Sequence, residues 1–377
     1  MPGLVIRNGH VITPLERRFT DLLVEDGHIR ALCDIPDVPE GSQEIDASGC
    51  YVAPGLVDLQ VNGGPGCDFW ADPSPAEVSS LRTHMLERGV TSFLPTLITD
   101  EVGHLERNIG FLTGQGAGAA SQLEVEIELS RMPGIHLEGP CLSPQRPGVH
   151  PGQHLARPDP ELFEKIVTDA VSMVTLAPEL DPGGASLAWL REKGKLISLG
   201  HSNATYEEAE QAFERGVGLV THLFNAMPPL HHRAPGAAGA ALLDDRVSCC
   251  LIADGLHLDP AAVEMIFRLK GKEKTVLVTD IAHIGTTGGD LVGSSITLDE
   301  AVRNIVSWGV ADIGTAIAMA SYNPARLLGL SDRIGSLTPG ALADIVLWDR
   351  RDLSVRTVIL GGRVVFGGQP SALSSVS

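Results

Sequence analysis

The chain has few of the features that mark several large protein classes. Its 377 residues include only six cysteines, at 33, 50, 67, 141, 249 and 250, and none forms a Cys-x-x-Cys pair. A disulfide scaffold packs more cysteines into a shorter chain, so reduced thiols and a cytoplasmic location are expected. No apolar stretch is long enough to span a bilayer as a helix, and no basic-then-apolar leader is evident. Positive charge is also scarce. Against 47 Asp and Glu stand 28 Lys and Arg, for a formal charge of -19 with no local basic cluster. Such a surface repels phosphate backbones and anionic lipid, which argues against nucleic-acid and membrane partners.

What the sequence does have is enough apolar material, 43% of residues, for one large core and a second small one. Eight short apolar runs fall at 55–61, 90–94, 132–138, 173–177, 196–201, 217–222, 248–254 and 275–280. Most of the stretches between them read as amphipathic helices. Residues 76–88 place Val78, Leu81 and Met85 on one face, and 203–215 opens with Thr205 and Glu208 in capping-box spacing. Strands alternating with helices imply a parallel sheet, and eight of them suit a closed (β/α)8 TIM-type barrel over 54–336. The ends read differently. β-like runs at 4–12 and 22–29 carry Asn8-Gly9 and Asp26-Gly27 as hairpin turn signals, and 345–348 and 355–366 repeat the style around Gly361-Gly362. Residues 1–53 and 337–377 are therefore expected to form a small discontinuous β-sandwich domain.

Four polar residues close four of the barrel runs: Glu138, His201, His222 and Asp280. Barrel enzymes keep their chemistry at the carboxyl ends of the strands. Two imidazoles and a carboxylate can hold one divalent ion and leave a position open for water, so Glu138, His201 and His222 form a candidate ligand set. Asp280, on the last strand, suits proton transfer from water to a leaving amine. Each has a plainer reading when taken singly. A His or Glu after a strand commonly just bonds its loop, and Asp280 could cap the next segment.

Six segments, in order around the barrel, carry a family resemblance: Pro54-Gly55-Leu56-Val57-Asp58, His136-Leu137-Glu138-Gly139-Pro140, Gly200-His201-Ser202-Asn203-Ala204, Thr221-His222-Leu223-Phe224-Asn225-Ala226-Met227, Asp254-Gly255-Leu256-His257 and Val278-Thr279-Asp280. Together they resemble the N-acetylglucosamine-6-phosphate deacetylases of the amidohydrolase superfamily. That resemblance implies hydrolysis of an N-acetyl amino-sugar phosphate at a single divalent metal, zinc first with iron or cobalt as alternatives, held by Glu138, His201 and His222. It implies that Asp280 is the acid/base, that His150 helps to hold the amide carbonyl oxygen, and that His257 contacts the sugar. By the same resemblance Asn225 and the amide of Ala226 meet the phosphate, and Arg233 reaches it from the neighbouring subunit of a homodimer. Many amidohydrolases carry His-x-His on the first strand. Gln60 and Asn62 stand there instead, and amides are poor ligands, which favours one metal over two.

The chain departs from the family pattern just past Asp280. Only 281–292 precede Gly293, a shorter stretch than usual, so a lid or part of the subunit contact is expected to be lost, with His283 an oddity assigned to solvent ahead of the site. Two other activities compete with the leading one. The chain could act on another acylated amino sugar, such as N-acetylgalactosamine 6-phosphate, or on a cyclic amide, or it could bind a sugar phosphate without catalysis.

Overall fold

Eight parallel strands follow one another in chain order in a computed structural model that describes residues 3–13, 16–118, 123, 128–283, 286–287 and 290–368. They are β1 (Leu56–Val61), β2 (Val90–Ile98), β3 (Ile135–Glu138), β4 (Val171–Leu176), β5 (Leu196–Leu199), β6 (Leu219–Val220), β7 (Ser248–Leu251) and β8 (Thr275–Leu277). The strands are buried almost throughout, as expected when helices cover one face of a sheet and the barrel interior fills the other. The helices obey local sequence signals. Pro75–Glu87 starts on a capping box between Ser74 and Glu77 and turns Val78, Leu81 and Met85 inward. Tyr206–Glu214 starts on the Thr205–Glu208 box that the spacing predicts.

The ring closes where β1 meets the segment just past β8. The Asn62 amide donates to the Ile281 carbonyl at 2.8 Å, and the Asp280 amide to the Gln60 carbonyl at 3.0 Å. A buried carboxylate locks this seam. Asp58 accepts from the Thr279 hydroxyl at 2.6 Å and from the Thr279 and Gln60 amides at 3.2 Å each. Burial raises its carboxyl to about 7 despite those donors.

Both chain ends enter a second, mixed eight-stranded sheet. Its order is Arg363–Gly367, Val355–Leu360, Ile345–Asp349, Cys50–Pro54, Leu4–Ile12, Arg17–Glu25 and His28–Leu32, with Gln43–Asp46 pairing to Leu4–Ile12 off this path. It has its own core, which includes Leu4, Leu22, Ile45, Val52, Ile345 and Ile359. Two of the three turn signals hold: Asp26-Gly27 and Gly361-Gly362 sit at hairpin turns with positive φ. Asn8-Gly9 does not turn the chain. It forms a bulge inside one continuous strand, with Asn8 at φ 61, where the parallel partner changes from Gln43–Asp46 to Cys50–Pro54. The stretch after Asp280 contains a two-residue antiparallel ladder, Thr286–Thr287 against Asp290–Leu291. All six cysteines are free thiols, with only Cys33 exposed. No helix among the described residues is long and apolar enough to cross a membrane.

An ion pair fastens the two sheets together. Arg131, just ahead of β3, donates from Nη1 to Asp344 Oδ2 at 2.5 Å, with the side chains only 2% and 1% exposed. Asp344 also accepts from the Gly361 amide at 2.9 Å, and its carbonyl accepts from the Gly55 amide at 2.9 Å. Removing one member leaves a buried charge alone. Asp344→Ala should cost about 3–5 kcal/mol in urea unfolding, whereas exchanging both partners for apolar residues of similar size should recover most of that loss. A single-variant loss under about 1 kcal/mol would refute this account.

Candidate active site

At the carboxyl end of the barrel a cavity of about 380 Å³ is lined by residues from most of the strand-to-helix loops. Glu138 ends β3 and is 3% exposed. His201 and His222 lie two residues beyond β5 and β6, and Asp280 three beyond β8, not within the strands, with φ of 47°, 29° and 53°. Left-handed backbone at non-glycine residues costs about 1–3 kcal/mol each and persists where the surroundings enforce it. For His201 those surroundings are explicit. Glu179 accepts from the Ser202 hydroxyl at 2.7 Å and the Asn203 amide at 2.6 Å, and the Ser143 amide donates to the His201 carbonyl at 2.9 Å.

Glu138 is the meeting point. Its Oε1 lies 3.0 Å from His222 Nε2 and 3.3 Å from His201 Nε2, and its Oε2 lies 3.8 Å from His150 Nε2. Gln60 donates to the same Oε1 at 3.0 Å. Glu138, His150 and His201 bring one potential ligand atom each within 4.8 Å of one another. Hydrogen-bond chemistry separates the two histidines. His201 Nδ1 faces the Arg146 carbonyl at 3.1 Å, an atom that can only accept, so Nδ1 carries the proton and the Nε2 lone pair points at Glu138. Two acceptors facing each other are what a cation satisfies. His150 is the reverse case, because the Thr99 amide donates to its Nδ1 at 3.2 Å. Burial, with the neighbouring charge of His201, lowers its imidazole to about 3, so the ring is neutral and its proton sits on Nε2. His150 is thus a donor into the cavity, and Glu138, His201 and His222 are the better ligand set. At His222 burial opposes protonation, but the bond and charge of Glu138 prevail and raise it to about 8. A cation held here would take that proton's place. Gly148, at φ 56°, lets the loop before His150 cross close to His201, since a Cβ there would come within 3.0 Å of the imidazole.

Asp280 stands across the cavity. Asn62 donates to its Oδ1 at 2.7 Å, and the Trp70 indole donates to Asn62 Oδ1 at 3.3 Å. Burial, then the charge of Glu138, raises the Asp280 carboxyl to about 7. His257 holds its Nδ1 proton against Asp254 at 2.7 Å, which leaves Nε2 as the acceptor. Asn225 and Ala226 also line the cavity, the latter at φ 51°. Arg233 does not; it is exposed and outside the lining of its own chain. His283 is exposed too, with Nδ1 3.2 Å from the Gly64 carbonyl. Sequence reasoning missed Trp70, Thr99 and Asp254. Only Asp254 lay inside a motif already singled out.

A model of the amidohydrolase family matches residues 51–365. The chain belongs to this family. Members are generally metal-dependent, in keeping with the carboxylate and imidazoles gathered here. This amidohydrolase is 32% identical to the N-acetylglucosamine-6-phosphate deacetylase of Lysinibacillus sphaericus, over 95% of this chain and 97% of that one. It is also 32% identical to the N-acetylgalactosamine-6-phosphate deacetylase of Escherichia coli O157:H7, over 91% and 94%. Among solved structures it matches a mutant of N-acetyl-D-glucosamine-6-phosphate deacetylase from Mycobacterium smegmatis in complex with N-acetyl-D-glucosamine-6-phosphate, with TM-score 0.84, 29% identity and coverage of 97% and 100%.

The proton assignments make a direct prediction. His201→Ala and His222→Ala should lose bound metal, whereas His150→Ala should retain it and lose turnover. Metal analysis of the purified variants beside rate measurements decides; loss of metal from the His150 variant would make that residue a ligand.

Proposed function

We propose that this amidohydrolase removes the N-acetyl group of N-acetylglucosamine 6-phosphate, yielding acetate and glucosamine 6-phosphate. One observation carries the reading: Asp280, oriented by Asn62, shares a cavity with the Glu138, His201 and His222 cluster, while the Nε2 proton of His150 faces the same space. A divalent ion on that cluster, zinc first with iron or cobalt as alternatives, would polarise the amide carbonyl and acidify the attacking water. Asp280 accepts the proton of that water and returns it to the leaving nitrogen, so the carboxylate ends the cycle as it began. His150 donates from Nε2 to the oxygen on which negative charge develops. His257, held by Asp254, accepts from a sugar hydroxyl.

The 6-phosphate fits Asn225, the amide of Ala226 and an arginine. Because Arg233 lies outside its own cavity, its role requires a second copy of the chain, and we infer a homodimer in which it serves the neighbouring site. Residues 54–336 carry the chemistry, and 1–53 with 337–377 form the support. N-Acetylgalactosamine 6-phosphate is the second reading, favoured by the relative that acts on it at equal identity. An acetate-release assay on the phosphorylated and unphosphorylated forms of both sugars separates the cases. No release from any of them, with metal bound, would refute the activity.

Asp280→Asn should lower turnover about 100-fold or more with bound metal unchanged. A base must be ionised to work, so kcat/KM should fall as pH drops through the Asp280 pKa. A cation bound beside Glu138 offsets part of the charge that raises it, which puts this acid limb at or below 7. Arg233→Ala should raise KM about tenfold for phosphorylated substrates alone, the loss of one charge-assisted contact. An equal change for unphosphorylated sugars would remove Arg233 from the phosphate site.

A further inference from the structure

The cavity wall divides by chemistry. Asn225, the amide of Ala226 and His257 follow β6 and β7, whereas the apolar side chains Trp70, Ile98 and Val149 come from the loop after β1, the end of β2 and the loop after β3. The apolar part of an N-acetyl sugar phosphate is its acyl methyl group. Trp70 reaches the wall because the loop after β1 doubles back: Gly63–Gly64 pairs with Cys67–Asp68, the Phe69 amide donates to the Asn62 carbonyl at 3.0 Å, and the buried Phe69 ring anchors the return. Gly63 is required there, since a Cβ would meet the Cys67 carbonyl oxygen at 2.5 Å. The Asp68 carboxylate accepts from the Trp70 amide at 2.9 Å and sets the backbone that aims the indole.

We propose that Trp70 is the specificity-determining wall for the acyl group, and that its indole N–H also positions the Asn62–Asp280 pair; the proposal rests on the deacylase reading above. The two parts have one geometric origin. The Nε1 proton on Asn62 Oδ1 leaves the Asn62 amine no choice but to face Asp280, so Oδ1 of Asp280 is held and its other oxygen is left for proton transfer. The same bond fixes the ring plane against the cavity, where it limits the room beside the acyl carbon. An acyl chain longer than acetyl must displace the ring and so disturb the base. Size selection and base alignment are therefore coupled in one side chain.

The test compares N-acetyl, N-propionyl and N-butyryl hexosamine 6-phosphates on the metal-loaded wild type, Trp70→Phe and Trp70→Ala, each checked for metal content and fold. Wild type should lose roughly tenfold or more in kcat/KM for each added methylene. Trp70→Ala should flatten that series. Trp70→Phe keeps an aromatic ring but lacks the bond that fixes its plane, so it should flatten the series only in part while kcat drops roughly tenfold at unchanged KM. A series equally steep in Trp70→Ala, or unchanged kcat in Trp70→Phe, overturns the corresponding part. If wild type releases no acyl group from any of these sugars, the functional reading fails, and the wall is then judged by equilibrium binding. In titration calorimetry acetate should bind wild type at lower concentration than butyrate, with no such preference in Trp70→Ala. Equal binding of the two carboxylates by wild type would overturn the wall itself.

Discussion

Closure of the barrel between its first and last strands is the constraint on which the site depends. Asp58 and Thr279 are far apart in sequence, yet the buried hydroxyl-to-carboxylate bond between them fixes the register of β1 against the segment past β8. Once that register is set, Gln60 and Asn62 have no freedom in what they face. One amide donates to Glu138 and the other to Asp280. A slip of one residue would turn both away, because alternate side chains on a strand point to opposite faces. The seam therefore does more than shut the barrel; it aligns the carboxylate that gathers the imidazoles with the one that moves protons.

The amides at 60 and 62 illustrate how one pair of positions can serve two chemistries. Imidazoles there would add ligands. Amides instead supply hydrogen-bond donors to two buried carboxylates, keeping them oriented without adding charge. Burying an ionised carboxylate without such donors is costly, so the exchange is consistent with a site built around one cation. The same logic distinguishes His150 from His201. Their rings lie 4.4 Å apart, yet a backbone amide on one and a backbone carbonyl on the other give them opposite proton placement.

The readable parts of the sequence were those governed by local pattern. Eight apolar runs, the Thr205–Glu208 box and the polar residues closing β3, β5, β6 and β8 all follow from periodicity and position, and their convergence on one cavity was legible in advance. What periodicity could not show was the backbone at His201, His222 and Asp280, where strand gives way to left-handed turns held by tertiary contacts. Asn8-Gly9 misled for a related reason: a dipeptide suited to a turn is equally suited to a bulge, and only the change of neighbouring strand decides between them. Trp70 was invisible because its place depends on a loop folding back over β1. Thr99 was invisible because it acts through its backbone amide on a histidine 51 residues away.

The second sheet is assembled from opposite ends of the chain, with Cys50–Pro54 paired to Ile345–Asp349. During synthesis the earlier strand leaves the ribosome long before its partner exists, an interval of tens of seconds at common elongation rates. Through that time one edge of the amino-terminal strands is an open template with a buried-type face and nothing to cover it. The barrel can mature in order as it emerges; the support beneath it cannot. This sheet is thus completed only when Ile345–Asp349 arrives, and without that strand Cys50–Pro54 would keep an unpaired, aggregation-prone edge however well the barrel had formed.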